Sequence, residues 1–302
     1  MKKLIVHLIL LFSTCTSFAQ GTGSNSFKSK NGHEVLPQAG EWSVGVSANS
    51  FLQYFGNSLN NTANQVAPSI TYSNGPSNQI FGNLGGIAFT GKYMASASTA
   101  YRVRIQANYT QTTNRGYSLK NTIIPNPLLP EFVEDKQTLN QSAILLGGGI
   151  EKRRGSSRLQ GIYGAEVLLG FQSQEAAYNY GNAMDLNFNN PATTAFGNLL
   201  GGTGLPNARP VEESIANRFF AGARGFIGVE YFIAPKISLG AEIGYTIGFQ
   251  TFGRAMRVDE TFDNSVLKSV NVERKNYGSS QLYNWGLNLD NTNAGINLNF
   301  YF

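Results

Sequence analysis

Ala294-Gly295-Ile296-Asn297-Leu298-Asn299-Phe300-Tyr301-Phe302 closes the chain, and its alternation decides the fold. A β-strand repeats its side-chain direction every second residue. Ala294, Ile296, Leu298, Phe300 and Phe302 therefore share one face, and Gly295, Asn297 and Asn299 share the other. Such a strand divides an apolar medium from a polar one. An apolar strand with an unpaired edge invites aggregation, and pairing it with the first strand of a barrel removes that edge.

The same period recurs upstream. In Tyr101 to Tyr109, one face carries Tyr101, Val103, Ile105, Ala107 and Tyr109, while the other carries Arg102, Arg104, Gln106 and Asn108. The length suits a tilted membrane-spanning strand of about 9 to 11 residues, and the terminal tyrosines suit the aromatic girdles at its two interfaces. Residues 236–249 alternate similarly, and weaker copies run over 41–51, 81–93, 142–152, 159–171 and 219–233. With the terminal strand, the sequence predicts eight.

The links form an independent pattern. Short ones fall at 94–100, 153–158 and 234–235, and long ones at 52–80, 110–141, 172–218 and 250–283. Their strict alternation matches bacterial barrels, which have short periplasmic turns and longer external loops. The expected fold is all-β: an eight-stranded antiparallel up-and-down transmembrane β-barrel over residues 41–302, with short periplasmic turns and long extracellular loops. An even strand number puts both ends of the barrel on the periplasmic side. Glycines at 147–149 and 244–248 mark tight curvature or close backbone approach.

The start of the chain indicates a compartment. Lys2 and Lys3 precede an apolar run from Leu4 to Phe12 and the small-residue end Ser17-Phe18-Ala19, the pattern of a secretory signal over residues 1–19. Residues 20–40 then form a periplasmic segment before the barrel. The single cysteine, Cys15, falls inside the signal, leaving no disulfide or thiolate metal site afterwards; the alternative of lipid attachment at Cys15 meets a poor match in Phe12-Ser13-Thr14.

Only 14% of residues are charged, and beyond the signal 21 Lys and Arg stand against 18 Asp and Glu, a net +3 with no basic stripe that would suit nucleic acid. No run after the signal is long and apolar enough for a membrane helix.

The signal end Ser17-Phe18-Ala19-Gln20, the hairpin from Val229 to Glu242 around Ala234-Pro235-Lys236, and the closing Leu298-Asn299-Phe300-Tyr301-Phe302 resemble the small outer-membrane β-barrel proteins of the Bacteroidota. The resemblance covers the chain after the signal as architecture and specifies no activity. It implies that Ile296, Leu298, Phe300 and Phe302 form the signal read by the barrel-assembly machinery. The implied surroundings are outer-membrane lipid and an integral outer-membrane location.

Few residues suggest chemistry. Barrel hydrolases that act on lipid or peptide lean on a histidine base. Here His7 falls in the signal and His33 before the first strand, where it reads as an exposed linker residue. No catalytic, cofactor or metal site is expected. Gly201-Gly202-Thr203-Gly204 lacks the Lys-Ser/Thr of a phosphate loop.

Lys92, Arg102, Arg104, Glu166, Arg224, Glu230 and Glu242 fall on the lumen face. Eight strands enclose a space just wide enough for side chains to fill. A salt-bridged structural plug is the preferred reading, and a narrow channel or transporter for small solutes is the alternative. A barrel enzyme acting on lipid without histidine ranks third.

The loops are candidate contacts for another envelope or extracellular protein. They include the apolar, proline-stiffened stretch 123–132 and the aromatics Tyr178, Tyr180, Phe188 and Phe196.

Overall fold

The computed structural model describes residues 27–47, 87–124, 128–196, 200, 205, 207–275, 283–289 and 295–302. The expected signal with Cys15, the first long link at 52–80 and Gly201 to Gly204 lie outside them. So do parts of the strands expected at 41–51 and 81–93.

Among the described residues eleven antiparallel strand segments follow in order: β1 (Trp42–Ser47), β2 (Ile87–Ser96), β3 (Thr99–Leu119), β4 (Phe132–Arg154), β5 (Leu159–Asn179), β6 (Ala208–Ala234), β7 (Ile237–Phe252), β8 (Met256–Asp263), β9 (Lys268–Lys275), β10 (Tyr283–Leu289) and β11 (Gly295–Tyr301). Each of β1 to β6 pairs with the next, β7 pairs with β11, and β11 returns to β1. Eight strands thus close a ring. Beyond the ladder, Trp42 N–H donates to Phe302 O and Phe302 N–H donates to Trp42 O, both at 2.9 Å. The edge that the closing strand would expose is paired.

The three additional segments continue ring strands. Phe252 faces Arg218 and Met256 faces Ser214, so the register of β7 carries across residues 253–255 into β8. On the return, Leu289 faces Tyr245 and Gly295 faces Glu242, so the chain advances six residues against three along β7.

The expected link at 250–283 is therefore mostly a β8–β9 hairpin, turning at 264–267. The links expected at 110–141 and 172–218 also shrink, because β3, β4, β5 and β6 run on as strand. Outside the apolar stretch both strand faces are polar, so side-chain alternation no longer marks these extensions.

The faces are partitioned against the habit of proteins folded in water. Outward residues of the ring are large and apolar, including Tyr101, Val103 and Ile105 on β3, Val167 and Leu169 on β5, Ile227 and Val229 on β6, and Ile243 and Ile247 on β7. Inward residues are largely polar or charged. The outward apolar run ends abruptly at Tyr109, Phe171, Phe219 and Phe249, and Ser142, opposite Tyr109, bonds to Ser173 at 2.8 Å. At the opposite end, Phe302, Trp42, Tyr93 and Tyr101 lie on successive strands, with the Trp42 and Tyr93 rings 4.9 Å apart.

The turn end is stoppered. Residues 27–41 fold back under the ring, with a bridge between Lys28 and Glu34. Val35 and Leu36 enter a cluster with Met94, Ala100, Phe232 and Tyr301. Lys236, at a left-handed φ of 62° in the β6–β7 turn, donates from Nζ to Leu36 O at 2.9 Å and to the Glu41 carboxylate at 2.5 Å. His33 sits exposed at the tip of this segment.

Replacing Leu36, which is 1% exposed, by alanine should lower stability by about 2 to 5 kcal/mol, seen as an earlier denaturant midpoint. Leu129→Ala, at a position 73% exposed, should shift it by less than about 0.5 kcal/mol.

Candidate functional site: the charged interior and the braced far end

Period two turns Lys92 of β2, Arg102 and Arg104 of β3, Glu166 of β5, Arg224 and Glu230 of β6, and Glu242 of β7 inward, and the structure brings all seven together. Glu242 accepts a fork from Arg102 at 2.7 and 2.9 Å, a bond from Arg104, and one from Arg224 at 3.2 Å. Glu166 meets Arg102 Nε at 2.6 Å, Arg224 at 3.4 Å and Arg104 at 3.6 Å. The Arg102 and Arg224 guanidiniums also lie 4.6 and 5.3 Å from the centre of the Phe226 ring. Planar forks stack and pair at once, which ammonium groups cannot do.

Two members were not anticipated from sequence. Glu151 of β4 meets Lys92 at 3.0 Å and Arg102 at 3.3 Å, and Arg153 pairs with Glu230. The sequence alone puts Arg153 in a short link, yet β4 runs to Arg154. Its parity with Leu145, Gly147 and Glu151 is the signal that places both residues inside.

Glu230 is completely buried and also accepts from Lys92 at 3.4 Å, Asn299 Nδ2 at 3.0 Å, Tyr301 Oη at 2.8 Å and Ser238 Oγ. Tyr301 Oη in turn accepts from Arg153 at 2.7 Å. The terminal strand thus does two jobs: Asn299 and Tyr301 join the interior network while Ile296, Phe300 and Phe302 remain exposed outside.

Glycines make room for this filling. A Cβ on Gly244 would stand 2.6 Å from Arg224 Nε, and one on Gly248 would stand 2.3 Å from the Phe220 ring. The expected close approach in 244–248 is therefore made by inward side chains.

A second braced region lies in the strand extensions at the far end. Glu213 accepts from Tyr178 Oη at 2.8 Å and pairs with Arg257 at 3.2 Å; Arg257 Nε reaches Asp259 at 2.6 Å. Tyr180 stacks on Tyr178 with centroids 6.3 Å apart, and Phe196 leans on Tyr178 at 6.5 Å. Phe188 is only half-buried. Three of the four loop aromatics therefore brace the fold, with Tyr178 almost fully buried.

The loop after β5 is fastened to the β3–β4 tip. Asn182 Nδ2 donates to Leu119 O and Ala192 O, each at 2.8 Å, and Asn182 Oδ1 accepts from Asn121 N–H at 2.9 Å. Asp135 accepts N–H bonds from Gly181 at 2.8 Å and Thr194 at 2.7 Å. The tip then presents Ile123, Ile124, Leu128 and Leu129, each at least 73% exposed.

Burial pushes the Asp135 carboxyl up, but the N–H donors of Thr194 and Gly181 outweigh it and hold the group below the ordinary 3.8. A lowered carboxyl contributes stability above its unfolded value and loses it as pH falls through the folded one. The fastening of 181–194 should therefore persist at neutral pH and weaken below about 3.8, read as lost amide-exchange protection at Gly181 and Thr194. Unchanged protection in strong acid would contradict this.

Breaking a buried ion pair by removing one partner costs about 3 to 5 kcal/mol. Glu242→Ala should fall in that range by denaturant unfolding. Glu273→Ala, which loses an exposed pair with Lys275 at 3.5 Å, should cost under about 1 kcal/mol.

No protein-family model matches the chain, and no curated protein matches it in sequence.

Proposed function

We propose that the chain is an integral outer-membrane β-barrel, non-enzymatic and closed to solutes, that serves as a structural or partner-binding component through its extracellular end. The observation that carries this reading is the apolar band around a ring with a charged interior. From Tyr101 to Tyr109, eight steps of about 3.4 Å give a strand length of about 27 Å. From Leu159 to Phe171, twelve steps give about 41 Å. At a tilt of about 40° these correspond to heights of about 21 and 31 Å, bracketing the ~25 Å apolar band of outer-membrane barrels.

Water covers such a continuous apolar surface poorly, and soluble monomers rarely expose one. Lipid covers it without cost. Keeping Arg and Lys inside the ring also avoids about 2 to 4 kcal/mol for each cation at the bilayer midplane.

In this reading residues 1–19 are the export signal, the three short turns face the periplasm, and Ile296, Leu298, Phe300 and Phe302 engage the barrel-assembly machinery. The resemblance to Bacteroidota outer-membrane barrels is in keeping with it. The braced apolar tip supports partner binding, since a rigid scaffold presents contact residues without the cost of ordering them.

Unheated protein should migrate differently from boiled protein on a gel and should fractionate with the outer membrane. A soluble periplasmic chain with one mobility would overturn the reading. Planar bilayers holding the folded protein should stay silent, because its interior cations and carboxylates satisfy one another. Steady single-channel currents would favour a solute channel.

A further inference from the structure

We propose that the β4–β5 hairpin carries a headgroup site for anionic phospholipid, formed by Lys152, Arg154 and Arg158 at the turn end. This inference rests on the membrane reading above and adds a ligand class and a place to it.

The outward face of β4 is apolar through Ile144, Leu146 and Ile150, then becomes cationic at Lys152 and Arg154. The change occurs one outward position past the register pair of Ile150 with Tyr101. Lys152 donates to Thr99 Oγ1 at 2.8 Å and has no carboxylate partner among the described residues. The Arg154 side chain is exposed and makes no hydrogen bond or ion pair with them. Arg158 is held against β6 by bonds from Nη1 to Phe232 O at 3.1 Å and Ile233 O at 3.2 Å. Its other N–H groups are available to an incoming oxygen.

The two ends of the ring differ in charge. Among the described residues, the turn end holds six cationic side chains, those of residues 28, 30, 152, 154, 158 and 236, against two side-chain carboxylates at 34 and 41. Beyond the far edge of the apolar band, ten cations face eleven carboxylates.

A ligand suited to the hairpin must be apolar beside Ile150 and Tyr163 and anionic beside Lys152 and Arg154. A phospholipid with a net negative headgroup has that shape. Its phosphate oxygens match the planar donor fork of arginine. A nucleic acid would use the cations but leave the apolar flank uncovered.

The full chain would be folded into nanodiscs of phosphatidylcholine alone and of phosphatidylcholine with phosphatidylglycerol. Folding is read by gel mobility before and after heating, and retained lipids by native mass spectrometry. The wild type should fold in both discs and retain phosphatidylglycerol preferentially. Arg154→Gln should weaken that preference about fivefold, and the Lys152→Gln/Arg154→Gln pair further. Lys268→Gln at the far end should leave it unchanged.

A folded wild type with no preference for phosphatidylglycerol, or a folded double variant that keeps it, overturns the headgroup site and leaves the barrel reading standing. Failure to fold in either disc overturns both.

Discussion

The pairing of β1 with β11 is the constraint on which the rest depends. It gives every strand of the ring two neighbours and brings Trp42 and Phe302 together at the seam. Once the ring is closed with eight strands, its interior admits side chains and little else. Closure therefore dictates that something must fill the middle, and the inward parity of each strand decides what does. The outer face is left to whatever the other parity supplies.

The filling here is charge, which is not the firmest choice available. Apolar groups of similar volume often stabilise a fold as well as a buried ion network or better. What the charges supply is direction. A one-residue slip in β3 would turn Arg102 and Arg104 outward and bring Tyr101 and Val103 into the space beside Glu242 and Glu166. With apolar residues on both faces, such a slip would cost little, and register would be weakly specified. The carboxylates and guanidiniums make the two faces of each strand chemically unlike, so only one register satisfies all strands together.

Much of this was legible in the chain. Strand alternation identified the ring strands in their apolar parts, and the same parity gathered Lys92, Arg102, Arg104, Glu166, Arg224, Glu230 and Glu242. Arg153 escaped because the expected strand stops at Lys152, inside the run of three cations Lys152 to Arg154, whereas Glu151 lies within the expected strand and was not gathered with the others. The extensions at 110–119, 132–141, 172–179 and 208–218 escaped for a different reason. Alternation is visible only when the two faces meet different media, and polar residues on both faces of a strand look like a loop. The stopper at Val35 and Leu36 was equally hidden, since two apolar residues in a polar segment carry no period.

The length of those extensions gives the fold reach. From Tyr109 at the edge of the apolar band to Leu119, β3 advances ten residues, about 34 Å along the strand. Even at a tilt of about 40°, that lifts the tip about 26 Å clear of the last outward aromatic. A flexible loop of the same length would spread its apolar residues through a large volume and often fold them back toward the band. A hydrogen-bonded stalk keeps Ile123, Ile124, Leu128 and Leu129 at a fixed standoff, where a body too bulky to approach the band itself can still touch them.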